Sequence, residues 1–123
     1  MAYELTTEKH DDYLHVTASG TRSFEVVLAI IRDILSACVK EKVSMLLVDL
    51  RGLKGHFETL DAYTIPDEYF PKYQYRNVVT RCAIIDRKEY ESRVKFFENV
   101  AVNRGFFLRF FTDPESALEW LKN

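Results

Sequence analysis

Residues 46–63 read LLVDLRGLKGHFETLDAY. The run MLLVDL over 45–50 is continuously apolar but for one acid, the pattern of a central parallel strand covered on both faces. Gly52 and Gly55 then flank a turn, and TLDAY opens a helix. A strand that runs into a helix N-terminus is where α/β proteins often hold phosphates, cofactors and switches. The corner is therefore the first candidate site. Gly52 and Gly55 would let backbone N–H groups approach an anion, helped by Lys54 and His56. The simpler reading, preferred here, is a turn whose backbone needs positive φ.

Toward the N-terminus, 3–7 and 13–19 are short β-prone runs separated by the polar EKHDD, which reads as a hairpin ended by Gly20. Leu14, Val16 and Ala18 alternate with Tyr13, His15 and Thr17, so one face looks inward. A helix over 23–40 follows, with Ser23 as N-cap and Phe24, Val27, Leu28, Ile31, Leu35 and Cys38 as a single buried stripe. Toward the C-terminus, CAIID (82–86) is a second buried strand, and Asp86 with Glu89 forms a capping-box-like pair for a helix over 87–103. Tyr90, Val94, Phe97 and Ala101 give it a buried stripe, and Gly105 suits the left-handed position after its end. FFLRFF (106–111) is the last strand, and Asp113-Pro114 starts a short closing helix held by Ala117, Leu118 and Leu121. The order β-β-α-β-α-β-α-β-α predicts a single α/β domain over 1–123 with a mixed, mostly parallel sheet and right-handed crossovers.

The bulk composition excludes several classes. Seventeen basic and nineteen acidic residues leave a formal charge of −2, which gives no general reason to bind nucleic acid or an anionic membrane. No apolar run approaches the roughly 20 residues of a membrane span, and the start MAYELTTEKHDD lacks the features of a signal peptide. Cys38 and Cys82 lie in apolar segments without CxxC spacing and read as buried, reduced thiols of a cytoplasmic protein.

LLVDLRGL, RCAIID and the closing FFTDPESALEWL, in this order of elements, resemble the SpoIIAA-like proteins, bacterial relatives of the STAS domain (sulfate transporter and anti-sigma factor antagonist). The resemblance spans nearly the whole chain, about 3–121. It implies a non-enzymatic partner switch of STAS/SpoIIAA-like fold, in which phosphorylation of a serine in a D-S-S-G motif after the third strand decides the partner. Here the D-S-S-G positions fall on Phe57, Glu58, Thr59 and Leu60, so the aspartate and glycine are missing. Thr59 alone offers a hydroxyl, and a plain helical threonine is the preferred reading over a phosphorylation site. Ser44 and Thr64 are no better placed.

Most chemical motifs fail. Four glycines make neither GxGxxG nor a P-loop, and His56-Phe57-Glu58 matches the H-x-E of zinc deaminases without their PCxxC thiolates. His10 beside Asp11 and Asp12 reads as solvated turn chemistry, His15 points outward, and the three histidines are taken as scattered, so no metal and no cofactor is expected. Asp49, ending a buried strand, is the carboxylate whose pKa is expected to rise; its preferred role is to hydrogen-bond the turn at Gly52–Gly55. Asp86 is assigned to helix capping. RGFFLRFF begins like an RNA-binding RNP1 motif, but Phe107 stands where a small residue must be, and Phe106, Leu108 and Phe110 on one face with Phe107 and Phe111 on the other read as core.

The sharpest local anomaly is aromatic. Phe57, Tyr63, Tyr69, Phe70, Tyr73 and Tyr75 crowd together around Pro66 and Pro71, which should break the segment into short helical pieces with incompletely buried side chains. Besides an irregular flap packed on the core, it offers a protein interface or the wall of an apolar pocket. The resulting expectation is a regulatory protein-interaction module, with a protein partner or as a homodimer, using Gly52, Lys54, Gly55, His56, Thr59, Tyr63, Tyr69, Phe70 and Tyr73. A carrier or sensor of a small hydrophobic, lipid-like ligand is the alternative, and an enzyme using Asp49 or His56 comes third.

Overall fold

The computed structural model describes residues 3–123. Strands β1 (Tyr3–Lys9) and β2 (Leu14–Thr21) form the expected antiparallel hairpin, with His10 N–H donating to Tyr13 O at 2.9 Å in the turn. Then come α1 (Phe24–Glu41), β3 (Met45–Lys54), a helical flap, β4 (Arg81–Ile85), α4 (Glu91–Asn103), β5 (Leu108–Phe111) and α5 (Pro114–Lys122). The five strands lie in chain order, and every neighbouring pair except β1–β2 is parallel. Successive right-handed crossovers that all step in one direction place their helices on one face of the sheet. The main core accordingly joins α1, the flap and α4 to Leu14, Val16, Leu46, Val48, Cys82 and Ile84. Only α5 is left for the other face, where Ala117 and Leu121 pack on Tyr13, Leu47, Ala83 and Ile85. Among the described residues no helix is long and apolar enough to cross a membrane.

Ser23 caps α1 as expected, its Oγ accepting from Val26 N–H at 3.2 Å. The buried stripe differs. Val26, Ala29, Ile30 and Ile34 go deepest with Leu35 and Cys38, while Phe24, Val27, Leu28 and Ile31 are half-buried. The helix is apolar over more of its circumference than the sheet can cover, so periodicity alone left the rotation open by one position.

The flap consists of the expected short helical pieces, but the first three are joined without a break. α2 (Thr59–Thr64), a π segment (Ile65–Tyr69) and α3 (Phe70–Lys72) form one unbroken helical path, followed by a 3₁₀ turn at Tyr75–Asn77. Phe70 N–H donates to Ile65 O, and this wider turn shifts the hydrogen-bond register where Pro66 and Pro71 have no donor. Phe57, Phe70 and Tyr75 are core residues. Phe70 stacks on Tyr75 with ring centroids 4.1 Å apart and meets Phe97 and Phe106 edge-on. Phe70 is thus interior and belongs to no partner-facing surface.

Three further corrections concern the C-terminal half. The helix expected over 87–103 enters through a 3₁₀ turn at Lys88–Tyr90, without a capping box, because Asp86 is fully buried and engaged elsewhere. β5 is shorter than expected, and Phe107 is 68% exposed rather than core, while Phe106, Leu108 and Phe110 do point inward. The stripe Tyr90, Val94, Phe97 and Ala101 is buried as expected. Gly105 (φ 86) completes a Schellman turn, with Phe106 N–H on Ala101 O and Gly105 N–H on Val102 O, both 3.0 Å.

Leu53, fully buried near the end of β3, tests this packing. Leu53→Ala should destabilise the protein by about 2–5 kcal/mol in urea unfolding; a loss well below that range would mean the strand end is not packed as described.

Candidate functional site

The corner sits farther along the chain than the sequence suggested. A bulge between Thr17 and Ser19 lets Ser19, Gly20 and Thr21 pair with Gly52, Leu53 and Lys54, beyond the last β3–β4 pair at Asp49–Ile85. β2 and β3 therefore overrun β4 and β5. Gly52 belongs to this strand and not to a positive-φ turn: a Cβ there would stand 3.0 Å from Ser19 Cβ, which is why the close strand approach needs glycine. The turn proper begins at Gly55 (φ 104) and runs through His56, Phe57 and Glu58 to exposed Thr59, the first residue of α2.

Beneath the overrun lies a pair that sequence reading did not connect. Arg22 Nη1 is 2.9 Å from Asp86 Oδ2, their side chains 2% and 0% exposed. That approach is an ion pair whose angles miss those of a hydrogen bond, and among the described residues Arg22 Nε has no hydrogen-bond partner. Arg22 Nη2 donates to Leu53 O (2.8 Å), Arg22 N–H to Lys54 O (2.6 Å), and Arg87 N–H to Asp86 Oδ1 (2.8 Å). The guanidinium carbon lies 4.7 Å from the Tyr90 ring centroid. Burial pushes the Asp86 pKa up, against the pull of Arg22 and of the Arg87 N–H. The tyrosine hydroxyl in turn accepts from Gly55 N–H at 3.1 Å, so the donor an anion would need is already engaged. His56 is exposed and edge-on to Tyr90, and Arg93 Nη1 donates to Phe57 O at 2.5 Å.

The remaining reactive groups are quiet. Asp49 does not hold the turn; it takes Arg51 N–H and Nε on Oδ1 (both 3.0 Å) and Arg51 Nη2 on Oδ2 (2.7 Å). Burial raises its pKa, but the Arg51 bonds outweigh it and the net shift is downward, opposite to the sequence expectation. Cys38 and Cys82 are free and buried, and burial pushes their thiols up to about 11 and about 12, leaving both protonated at neutral pH.

The flap tyrosines fall into two groups. Tyr69 meets the Phe24 ring edge-on with centroids 5.6 Å apart, and Tyr73 lies 5.8 Å from Tyr69. Tyr63, exposed, instead faces Arg104, which also pairs with Asp67 at 2.9 Å. Among the described residues no hydrogen bond, ion pair or ring contact joins these tyrosines to Lys54, His56 or Thr59. Between α1, the sheet and α4 lies a cavity of about 70 Å³ with almost wholly apolar walls, including Ile30, Ile34, Val48, Phe70, Val94 and Phe97. Phe70 thus lines this cavity.

The histidines are not all scattered. Glu8 is paired with His15 across the hairpin, and His10 Nε2 is 2.9 Å from Glu8 Oε1; Asp11 and Asp12 take no part. A cross-strand register would have shown this once the turn was placed at 10–13. Arg22 gave only a faint signal, as a lone cation between a strand end and an N-cap in a chain whose buried strand β4 is followed directly by an acid.

No family model and no curated protein matches the chain. Solved structures do. An anti-sigma factor antagonist from Mycobacterium paratuberculosis is 15% identical, with a TM-score of 0.63 over 99% of this chain and 96% of that one. A protein of the DUF3478 family with a SpoIIAA-like fold from Shewanella loihica PV-4 is 22% identical, with a TM-score of 0.54 over 97% and 93%. These likenesses establish the fold: the chain has the SpoIIAA-like, STAS-type α/β fold that its sequence resembles.

Two outcomes follow from the charges. Arg22→Met strands a buried carboxylate and should cost about 3–5 kcal/mol, with much of the loss recovered in Arg22→Met/Asp86→Leu; equal loss in both would show that the pair is not coupled. The lowered Asp49 contributes stability that is present above its unfolded pKa of about 3.9 and is lost as pH falls through the folded value. Asp49→Asn should therefore show a shallower loss of stability below about pH 4 than the wild type in acid titrations followed by circular dichroism.

Proposed function

We propose that this protein is a regulatory protein-interaction module that works by binding rather than by catalysis. The observation that carries the reading is an apolar ridge the fold leaves half-covered. Tyr69 of the flap lies beside Phe24, with Tyr73 next to Tyr69, and Phe24 runs with Leu28 and Ile31 along α1 at helical spacing, all of them partly exposed. Rings with one apolar side and one wet side suit contact surfaces. The quiet chemistry agrees: Asp49 is clamped by Arg51, Asp86 is paired with Arg22, and both thiols are protonated. The same fold in an anti-sigma factor antagonist supports a regulatory role with a protein partner. Lys54, His56 and Thr59 add exposed groups on a rigid corner, and without the D-S-S-G residues the module is read as working without a phosphoserine switch.

The cavity favours a second reading, a carrier or sensor of a small apolar molecule. Its volume of about 70 Å³ is under half that of an engineered cavity of about 150 Å³ that takes benzene, so a lipid-sized guest requires α1 or the flap to move outward.

Substituting Tyr69→Asp and Tyr73→Asp together should abolish homodimers in sedimentation velocity, or the complex with a protein partner in binding assays, while the melting temperature stays near the wild-type value. Association that survives both changes would refute the ridge. Native mass spectrometry of protein purified from its own host should show subunits without a retained apolar compound; a bound lipid would favour the second reading instead.

A further inference from the structure

We propose that Glu8, His10 and His15 form a binding site for a zinc-like divalent ion on the face of the sheet that carries α5. The placement follows from strand geometry. Glu8 and His15 are direct cross-strand partners, and His10, two residues beyond Glu8, projects to the same side. The turn that fixes this register is closed by His10 N–H on Tyr13 O. Tyr13 is buried against Leu47 and α5, and the His10 ring lies flat on it, with centroids 4.6 Å apart and planes 8° from parallel. The ring of one ligand is thus already oriented by a core residue.

The donor set then decides the ion. One ligand atom from each residue lies within 4.8 Å of the other two, and His10 Nε2 and Glu8 Oε1 are 2.9 Å apart. In a tetrahedral centre with bonds near 2.1 Å the donors stand about 3.4 Å apart, a spacing reached by rotating exposed side chains without moving the backbone. Two imidazoles and a carboxylate suit zinc and its neighbours, with water completing the shell, whereas magnesium and calcium prefer oxygen ligands throughout. A bound ion would clip the edge strand β1 to β2. Because it binds the folded hairpin better than the open chain, it would raise the stability of the fold.

Isothermal titration of the full chain with zinc chloride should show one ion per chain, and magnesium chloride should give no binding. Glu8→Gln, His10→Gln and His15→Gln should each weaken zinc binding by about tenfold or more. Asp11→Asn/Asp12→Asn should leave it unchanged, and zinc should raise the melting temperature of the wild type and of this double variant but not of the three ligand variants. On the unaltered protein, zinc should shift the ring resonances of His10 and His15 in NMR spectra and leave His56 in place. Absence of zinc binding, binding that survives His10→Gln and His15→Gln, or resonance shifts confined to His56 would each overturn the site.

Discussion

The constraint on which the structure depends is a cation buried where the sheet runs out. β2 and β3 continue past β4, and nothing in the sheet covers the gap they leave. Arg22 fills it, reaching Asp86 at the end of β4, the Leu53 carbonyl of β3 and the face of Tyr90 ahead of α4. Tyr90 extends the link to Gly55 through its hydroxyl. Three chain segments thereby meet at one guanidinium, which donates to the Leu53 carbonyl and pairs with the Asp86 carboxylate while its face takes the Tyr90 ring; a lysine has no such face. The arrangement also decides the chemistry of the corner, because the carboxylate and the backbone donor that a ligand would have used are consumed in holding it together.

The architecture was legible because each strand and helix carried its own period. The alternation of Leu14, Val16 and Ala18, the continuous MLLVDL, and the Tyr90–Ala101 stripe each specified an element with its buried side. What misled was local chemistry overridden by tertiary contact. RGLK looks like a polar turn, yet it continues β3, because the bulge in β2 supplies a partner strand and glycine permits the close approach. Pro66 and Pro71 looked like breaks, yet a π turn absorbs them within one helical path. Periodicity describes a helix or strand in isolation, whereas bulges and π turns are set by what packs on them.

The site was less legible for a related reason. Aromatic residues signal burial and contact equally well, so the crowded segment contained Phe57, Phe70 and Tyr75 for the core and Tyr63, Tyr69 and Tyr73 for the surface. Neighbours in sequence also diverged in space: Tyr63 turned to Arg104 and Tyr69 to Phe24. Asp49 and Asp86 both looked like turn or cap residues, and each found an arginine instead, one two residues away and one across the sheet. Only the first of these partners was close enough in sequence to be anticipated.

The ridge and the cavity have one origin. α1 carries more apolar width than the sheet beneath it can take, so some side chains are left half outside while a void remains beneath others. At roughly 24 cal/mol per Å³, a void of about 70 Å³ costs on the order of 2 kcal/mol, as much as a well-placed core methyl or two would return. Cores that need only stability have simple ways to recover that energy, by a larger side chain facing the void or a polar one on the ridge. Retaining both defects side by side suits a helix whose outer face meets another surface and whose inner face has room to adjust when it does. The corner shows the opposite economy, with the Gly55 N–H and the Asp86 carboxylate both engaged. In the proposed binding module the buried Arg22–Asp86 pair would fix the frame and α1 would present the contact.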